Sequence, residues 1–303
     1  MSDRQLRQPN ILAGIGWMVV TSLLFVGVTG LVRHVGTDVP APQGAFMRYV
    51  FGTILLAPAI LSLVREPPHR TALRFYAARG LLHGAGVTLW FYAMARIPLA
   101  EVTAIGYTAP IYVAIGAALF LGERLHLRRI SAIAVGVLGA FVILRPGFQE
   151  LSVGQIASLA SAPLFAGSFL FAKRLTDTEA PLAIVAMLSV VCTIVLLPGA
   201  LIVWVTPGIW DTFWLAVTAV IATMGHYTMT RAFASAPLTF TQPLSVLQLV
   251  FASILGIVAF GEALDPFVIA GGAIVVAATT FISHREAVAA RRQRTPPAVA
   301  TKL

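Results

Sequence analysis

Few ionisable side chains fall inside the apolar stretches of this 303-residue chain, and those few define the chemistry open to it. His83 stands in the middle of RGLLHGAGVTLWFYAMAR and is the only histidine that reads as deep in an apolar run. An ionisable group is costly in hydrocarbon, so one placed there is a candidate for substrate contact or proton transfer. The plainer role is a neutral imidazole hydrogen-bonded to a neighbouring helix. Arg48 and Arg79 also fall inside apolar runs, each within about two turns of a run's end. At that depth an arginine can snorkel to the surface or cap a helix; the alternative is contact with a carboxylate. The twelve acids avoid the centres of the runs, and Glu101, in a first turn, comes nearest. There is no nucleophile–base pair, carboxylate pair or metal-ligand cluster, so neither an enzyme nor a resident cofactor or metal is expected. The single cysteine, Cys192, excludes an internal disulfide and reads as a small packing residue.

Uncharged polar and aromatic residues form stripes at helical spacing around these groups. His83 shares a face with Gly80, Gly84, Val87 and Trp90, and Gly80 and Gly84 form a GxxxG that permits close helix approach. Trp17, Thr21 and Leu24 form a second stripe; Thr103, Tyr107 and Pro110 a third; Ser158, Ser161 and Phe165 a fourth, beside Pro163. Thr223, Tyr227 and Thr230 follow, then Thr241, Ser245 and Gln248 with Pro243. Apolar walls with a few hydroxyls and an amide suit a zwitterion the size of an amino acid. The expected substrate-binding set is His83, Trp90, Tyr107, Trp17, Thr21, Ser161, Phe165, Tyr227 and Gln248, with hinges at Pro110, Pro163 and Pro243. For each residue alone, hydrogen bonding between helices is the favoured explanation of the polarity, and the set carries more weight than its members.

These residues must be positioned by membrane-spanning helices. The chain is 58% hydrophobic and 11% charged, against about 25% charged in soluble domains. The apolar runs are long and continuous, which selects helices over barrel strands. Ten runs are expected, at about 11–31, 41–63, 72–95, 98–121, 129–145, 152–172, 181–204, 210–231, 237–260 and 267–283. The net charge of +9 does not indicate nucleic acid, because the basic residues flank the runs. With the N-terminus inside, 16 of the 21 Lys and Arg fall in inner segments and 3 in outer ones, which predicts cytoplasmic termini. The N-terminal run is too long for a cleavable signal and lacks a small-residue cleavage site.

The chain also repeats itself. PLAEVTAIGYTAPIYVAIGAALFLGE and PLTFTQPLSVLQLVFASILGIVAFGE align at an offset of 139, so that Ala95, Pro98, Leu99, Gly122 and Glu123 fall on Ala234, Pro237, Leu238, Gly261 and Glu262. Gly14, Leu24, Phe25 and Gly27 fall on Gly154, Leu164, Phe165 and Gly167 at 140, as do Arg33-His34 on Lys173-Arg174. Five runs per copy is an odd number, so the second copy must enter the membrane inverted. Glu123 and Glu262 then end their helices at opposite faces, as paired elements at gates or interfaces.

The stretch APIYVAIGAALFLGERLHLRRISAIAVGVLGAFVIL resembles the EamA-type unit of the drug/metabolite transporter superfamily, as does its partner ending AFGEALDPFVIAGGAIVVAATTFI. Phe46-Met47-Arg48-Tyr49 fits the family's Arg-aromatic signature, from which the second half departs with Met187. The resemblance implies a bacterial plasma-membrane exporter of the amino-acid and metabolite type, the aromatic amino-acid exporter among them. The expected architecture is an all-α membrane protein of ten transmembrane helices in two inverted five-helix repeats, 11–145 and 152–283, with a cytoplasmic N-terminus (1–10) and a disordered basic tail (284–303). The expected partners are a small-molecule substrate and the lipid bilayer, not nucleic acid. A monomer is expected, since an internal inverted repeat makes one chain sufficient, whereas a channel usually needs an oligomeric ring. Uniport by alternating access is expected; the alternatives are a proton-coupled drug or metabolite antiporter and, from another class, an intramembrane enzyme.

Overall fold

The computed structural model describes residues 10–65, 68, 70–109, 111, 112, 115, 127–147, 150–236 and 246–294. Among them lie eleven helices: α1 (Ile11–Val35), α2 (Ala41–Leu55), α3 (Ala57–Arg65), α4 (Arg70–Met94), α5 (Leu99–Gly106), α6 (Leu127–Leu144), α7 (Val153–Leu175), α8 (Pro181–Ile202), α9 (Ile209–Ser235), α10 (Val246–Phe260) and α11 (Pro266–Arg294). Each of the ten expected apolar runs holds at least one of them. Local chemistry sets the ends. Asn10 Oδ1 accepts from Ala13 N at 3.0 Å to start α1, and α1 stops at Gly36, whose φ of 65° suits a residue without Cβ. Ser152 and Gln155 form a reciprocal capping box on α7. At α9 the Asp211 carboxylate accepts from Gly208 N at 3.2 Å.

Among the described residues, three helical segments are long and apolar enough to cross a bilayer alone, Leu12–Val35, Val153–Leu175 and Pro181–Ile202. The expected single run 41–63 is instead two helices, Ala41–Leu55 and Ala57–Arg65, bent by 66°. Pro58 accounts for the break, because it has no N–H to give the preceding turn and its ring crowds the carbonyl four residues back. α4 and α9 have the length, 25 and 27 residues, but are more polar, and they carry His83 and His226. The last helix also extends beyond its expected apolar run. α11 continues to Arg294, past the expected end at 283, because Glu286 and the alanines and arginines after it favour a helix.

The helices pack as a two-fold pattern. α1 lies along α9, and its repeat mate α7 lies along α4. α4 against α8 is mirrored by α9 against α2, and α1 against α10 by α7 against α5. The pairs α2–α8, α5–α10 and α6–α11 join mates to each other. At the α2–α8 crossing, Thr53 Oγ1 and Thr193 Oγ1 meet at 3.1 Å, and these two residues are also repeat mates, which puts them on the pseudo-axis. At the α6–α11 crossing, a Cβ added to Gly139 would strike Gly271 O, and one added to Gly271 would strike Gly139 O. The largest buried apolar cluster draws on both halves, among them Val87, Phe91, Met94 and Leu99 from the first and Leu188, Leu196, Leu215 and Leu249 from the second.

Let the near face be the one where α1 begins and the far face the one where it ends. Contacts between ends follow an alternating crossing order. On the far face Arg33 meets Glu262, Arg145 meets Asp265, and the Gln43 amide bonds both the carbonyl and the N–H of Val205. On the near face Tyr76 donates to Glu179, and Lys173 donates to Phe233 O. Five crossings separate α1 from α7, so the second repeat is inverted relative to the first.

Candidate functional site

The polar residues of the interior gather where α2, α4, α7, α8 and α9 converge. His83 lies about 20 Å along α4 and is 3% exposed. Its Nδ1 is 3.0 Å from Ser168 Oγ on α7. Phe165, one turn earlier on α7, meets the imidazole edge-on at 5.1 Å, and His226 of α9 meets it from another side, also at 5.1 Å. Tyr49 of α2 stands 6.1 Å from the same ring, and Phe25 of α1 packs on His226 at 5.2 Å. Arginines adjoin this aromatic cage. The Arg48 guanidinium lies over the Tyr49 ring at 3.9 Å, and Arg79 Nη1 donates to Ile184 O of α8 at 3.0 Å. Cys192 Sγ, beside them, donates weakly to Gly80 O at 3.5 Å.

Arg48 and Arg79 correct the sequence reading. Neither snorkels nor caps: they are 4% and 1% exposed. Position along a helix gives depth but not the face, and both side chains face the bundle interior rather than lipid. Arg48 Nη1, Arg79 Nε and Nη2, Tyr49 OH and His226 Nδ1 are buried without a hydrogen-bond partner. Among the described residues no acid pairs with either arginine. The centre of the bundle is therefore a positive, aromatic-walled cluster.

Of the expected binding set, the structure brings His83 and Phe165 into contact. Trp90 lies seven residues on, half-buried against Phe91 at 5.7 Å. Tyr107 is half-buried at the end of α5, and Gln248 half-buried on α10. Toward the near face, Trp17 and Tyr227 share Arg231, whose guanidinium lies 5.1 Å from the indole and donates to the phenol at 3.0 Å. Thr21 Oγ1 meets Thr228 Oγ1 across the α1–α9 crossing at 2.8 Å, and Ser161 Oγ donates to Ser158 O at 2.7 Å. Those two hydroxyls are thus engaged by a neighbouring helix and by their own backbone. Pro163 lies within continuous α7; Pro110 and Pro243 fall outside the described residues, as does Glu123.

His226, Tyr49, Ser168 and Phe25 are the residues that the sequence reading did not select. His226 lies close to the end of its expected apolar run at 231, but α9 continues to Ser235 and His226 is buried. Tyr49 had a visible signal, since it follows Arg48 in Phe46-Met47-Arg48-Tyr49.

A second constellation ties the far face. Glu262 Oε2 accepts from Leu99 N, at the start of α5, at 2.9 Å, and its Oε1 lies 3.1 Å from Arg33 Nη2. Arg33 Nη1 also donates to Met94 O at 3.3 Å. Thus one carboxylate holds the ends of α1, α5 and α10, where the α5 N-terminus favours a negative charge. The near face repeats part of this arrangement: Lys173, the mate of Arg33, donates to Phe233 O, the mate of Met94, at 3.0 Å. Beside the far-face latch, Glu101 accepts from Gln155 Nε2 at 2.5 Å, joining α5 to α7.

The EamA-like transporter family matches this sequence twice, over residues 12–145 and 152–284. An S-adenosylmethionine uptake transporter of Rickettsia bellii is 25% identical over 90% of this chain and 94% of its own length. A riboflavin transporter of Vibrio cholerae is 26% identical over 93% and 97%, and a pseudopaline exporter of Pseudomonas aeruginosa 29% identical over 90% and 96%. One solved crystal structure, at 16% identity, superposes with a TM-score of 0.60 over 94% of this chain and 99% of its own, which supports the fold.

Proposed function

Because this chain belongs to the EamA-like transporter family, a family of membrane transporters rather than enzymes, we propose that it is a secondary carrier that exports small metabolites, amino acids foremost, by alternating access. The observation that carries this reading is the meeting of His83 and His226 at 5.1 Å. They come from α4 and α9, which are repeat mates, so the polar cluster lies between the two inverted halves, where carriers of this architecture place their substrate. His83, Phe165, Trp90 and Tyr107 form the binding wall, with Trp17, Thr21, Ser161, Tyr227 and Gln248 reached as the halves rock about the proline-bearing helices. The relatives differ in named substrate and in direction, so export of amino acids rests on the polarity of the cluster and on the resemblance of the repeat units. The charge distribution supports a bacterial plasma-membrane protein with its near face cytoplasmic. A monomer suffices, since both halves of the site come from one chain.

Transport is driven by the substrate gradient alone. Among the described residues no acid lies in the cluster to carry a coupling proton or bind sodium. Counterflow of labelled amino acids in proteoliposomes, with no pH or sodium gradient, is the expected result, and it saturates. Net accumulation driven by an imposed proton gradient overturns uniport. The contact between His83 and His226 favours a second reading, proton-coupled antiport, under which that accumulation disappears in His83→Gln.

A further inference from the structure

We propose that the carrier's substrate bears an oxyanion, a carboxylate or a phosphate, on an apolar or aromatic body, and that Arg48 and Arg79 receive it. This deepens the carrier reading above and rests on it. Guanidinium groups stay charged in proteins, and a buried charge without a counter-charge is among the least stable arrangements a fold can hold. Here two of them lie on neighbouring helices, 4% and 1% exposed, with Arg48 Nη1 and Arg79 Nε and Nη2 unpartnered. One backbone carbonyl, Ile184 O, answers Arg79; the Tyr49 π-face answers Arg48. Neither supplies negative charge. Among the described residues no acid forms an ion pair with either guanidinium. Tyr49 OH and His226 Nδ1 are further unpartnered polar atoms in the same cluster.

An oxyanion answers each of these at once. Arginine forks match carboxylate and phosphate oxygens in plane, and such charge-assisted bonds are the strong ones. The rest of the cage fixes the other end of the ligand. Phe25 meets His226, His226 meets His83 and His83 meets Phe165, each edge-on with ring centroids 5.1–5.2 Å apart, and Phe169 stacks behind Phe165. An apolar or aromatic body fits that wall, and a ligand of net positive charge does not.

The full chain, purified in detergent, is titrated with phenylacetate, phenyl phosphate, phenylacetamide and chloride at equal ionic strength while thermal unfolding is followed. Phenylacetate or phenyl phosphate is expected to raise Tm saturably, and the one that does so at lower concentration identifies carboxylate or phosphate as the group. Phenylacetamide and chloride are expected to have no such effect. Arg48→Gln is expected to weaken the oxyanion effect at least tenfold and to raise Tm without ligand, since it removes an uncompensated charge. A purely structural arginine gives the reverse, a lower Tm. Arg48→Lys, which keeps the charge and loses the fork, is expected to bind with intermediate affinity, and it serves if Arg48→Gln does not fold. Equal stabilisation by chloride, or by phenylacetamide, overturns the proposal, as does a wild type that responds to neither oxyanion. In proteoliposomes the two readings separate. Saturable transport of neutral or cationic metabolites that is unchanged in Arg48→Gln leaves the carrier standing and overturns the oxyanion. Absence of transport, with oxyanion binding intact, overturns the carrier.

Discussion

His83 is held by one hydrogen bond and three ring contacts, and its removal should be felt in two separable ways. His83→Ala leaves Ser168 Oγ buried without its partner 3.0 Å away, a loss of about 1–3 kcal/mol. Transport should fall at least tenfold, and more than the change in folded yield explains. The double variant His83→Ala/Ser168→Ala should recover part of the stability and none of the transport, because no buried hydroxyl is then left unsatisfied. Thermal unfolding and initial counterflow rates measured on the same preparations check both halves. Equal recovery of transport would make His83 a packing residue. Trp90→Ala and Tyr107→Ala should also lower transport with folded yield near wild type.

At the scale of the helix, close approach and end-to-end latching control stability. A Cβ at Gly80 would strike the Val191 side chain of α8, whereas one at Gly16 meets nothing within 4 Å. Gly80→Val should therefore cost about 1–3 kcal/mol by overpacking, and Gly16→Ala should be neutral or slightly stabilising through helix propensity. Melting temperatures of the two variants test the α4–α8 contact. The latch is tested by Glu262→Gln. The amide still accepts from Leu99 N but no longer balances Arg33, so the far-face ends of α1, α5 and α10 are held less tightly. A cysteine at Ala95, near that face, should react with an impermeant thiol reagent several-fold faster in the Glu262→Gln background. An unchanged rate would mean that Glu262 does not hold the far face closed.

For the whole molecule, inversion of the repeats and orientation in the membrane are separate claims. Packing of mates such as α2 on α8, with Thr53 on Thr193, establishes the two-fold relation. Orientation rests on charge, and whole-cell labelling decides it. A cysteine at Asp38, on an exposed far-face turn, should react from outside, and one at Arg174, whose side chain is 71% exposed on the near face, should not. The opposite pattern would overturn the orientation read from the charge distribution.

What could be read from the sequence alone was whatever depends on neighbours along the chain. Apolar runs of bilayer length, the GxxxG at Gly80 and Gly84, and the repeat from Pro98 to Glu123 on Pro237 to Glu262 are local patterns, and with an odd number of runs per copy they dictate inversion without coordinates. His83 was visible for the same reason, as a titratable group in an apolar run. The direction in which a side chain points across the bundle is not local. Arg48 and Arg79 lie close enough to run ends to reach the surface, and only the packing of α2 and α4 against α8 turns them inward. His226 became deep only because α9 outlasts its apolar run, and Pro58 broke a span that composition alone reads as continuous. The cluster of Arg48, Arg79, His83 and His226, whose positive charge is that of the two arginines, therefore exists only in the tertiary structure, since its members come from three helices whose contacts are set by helix packing and not by spacing in the chain.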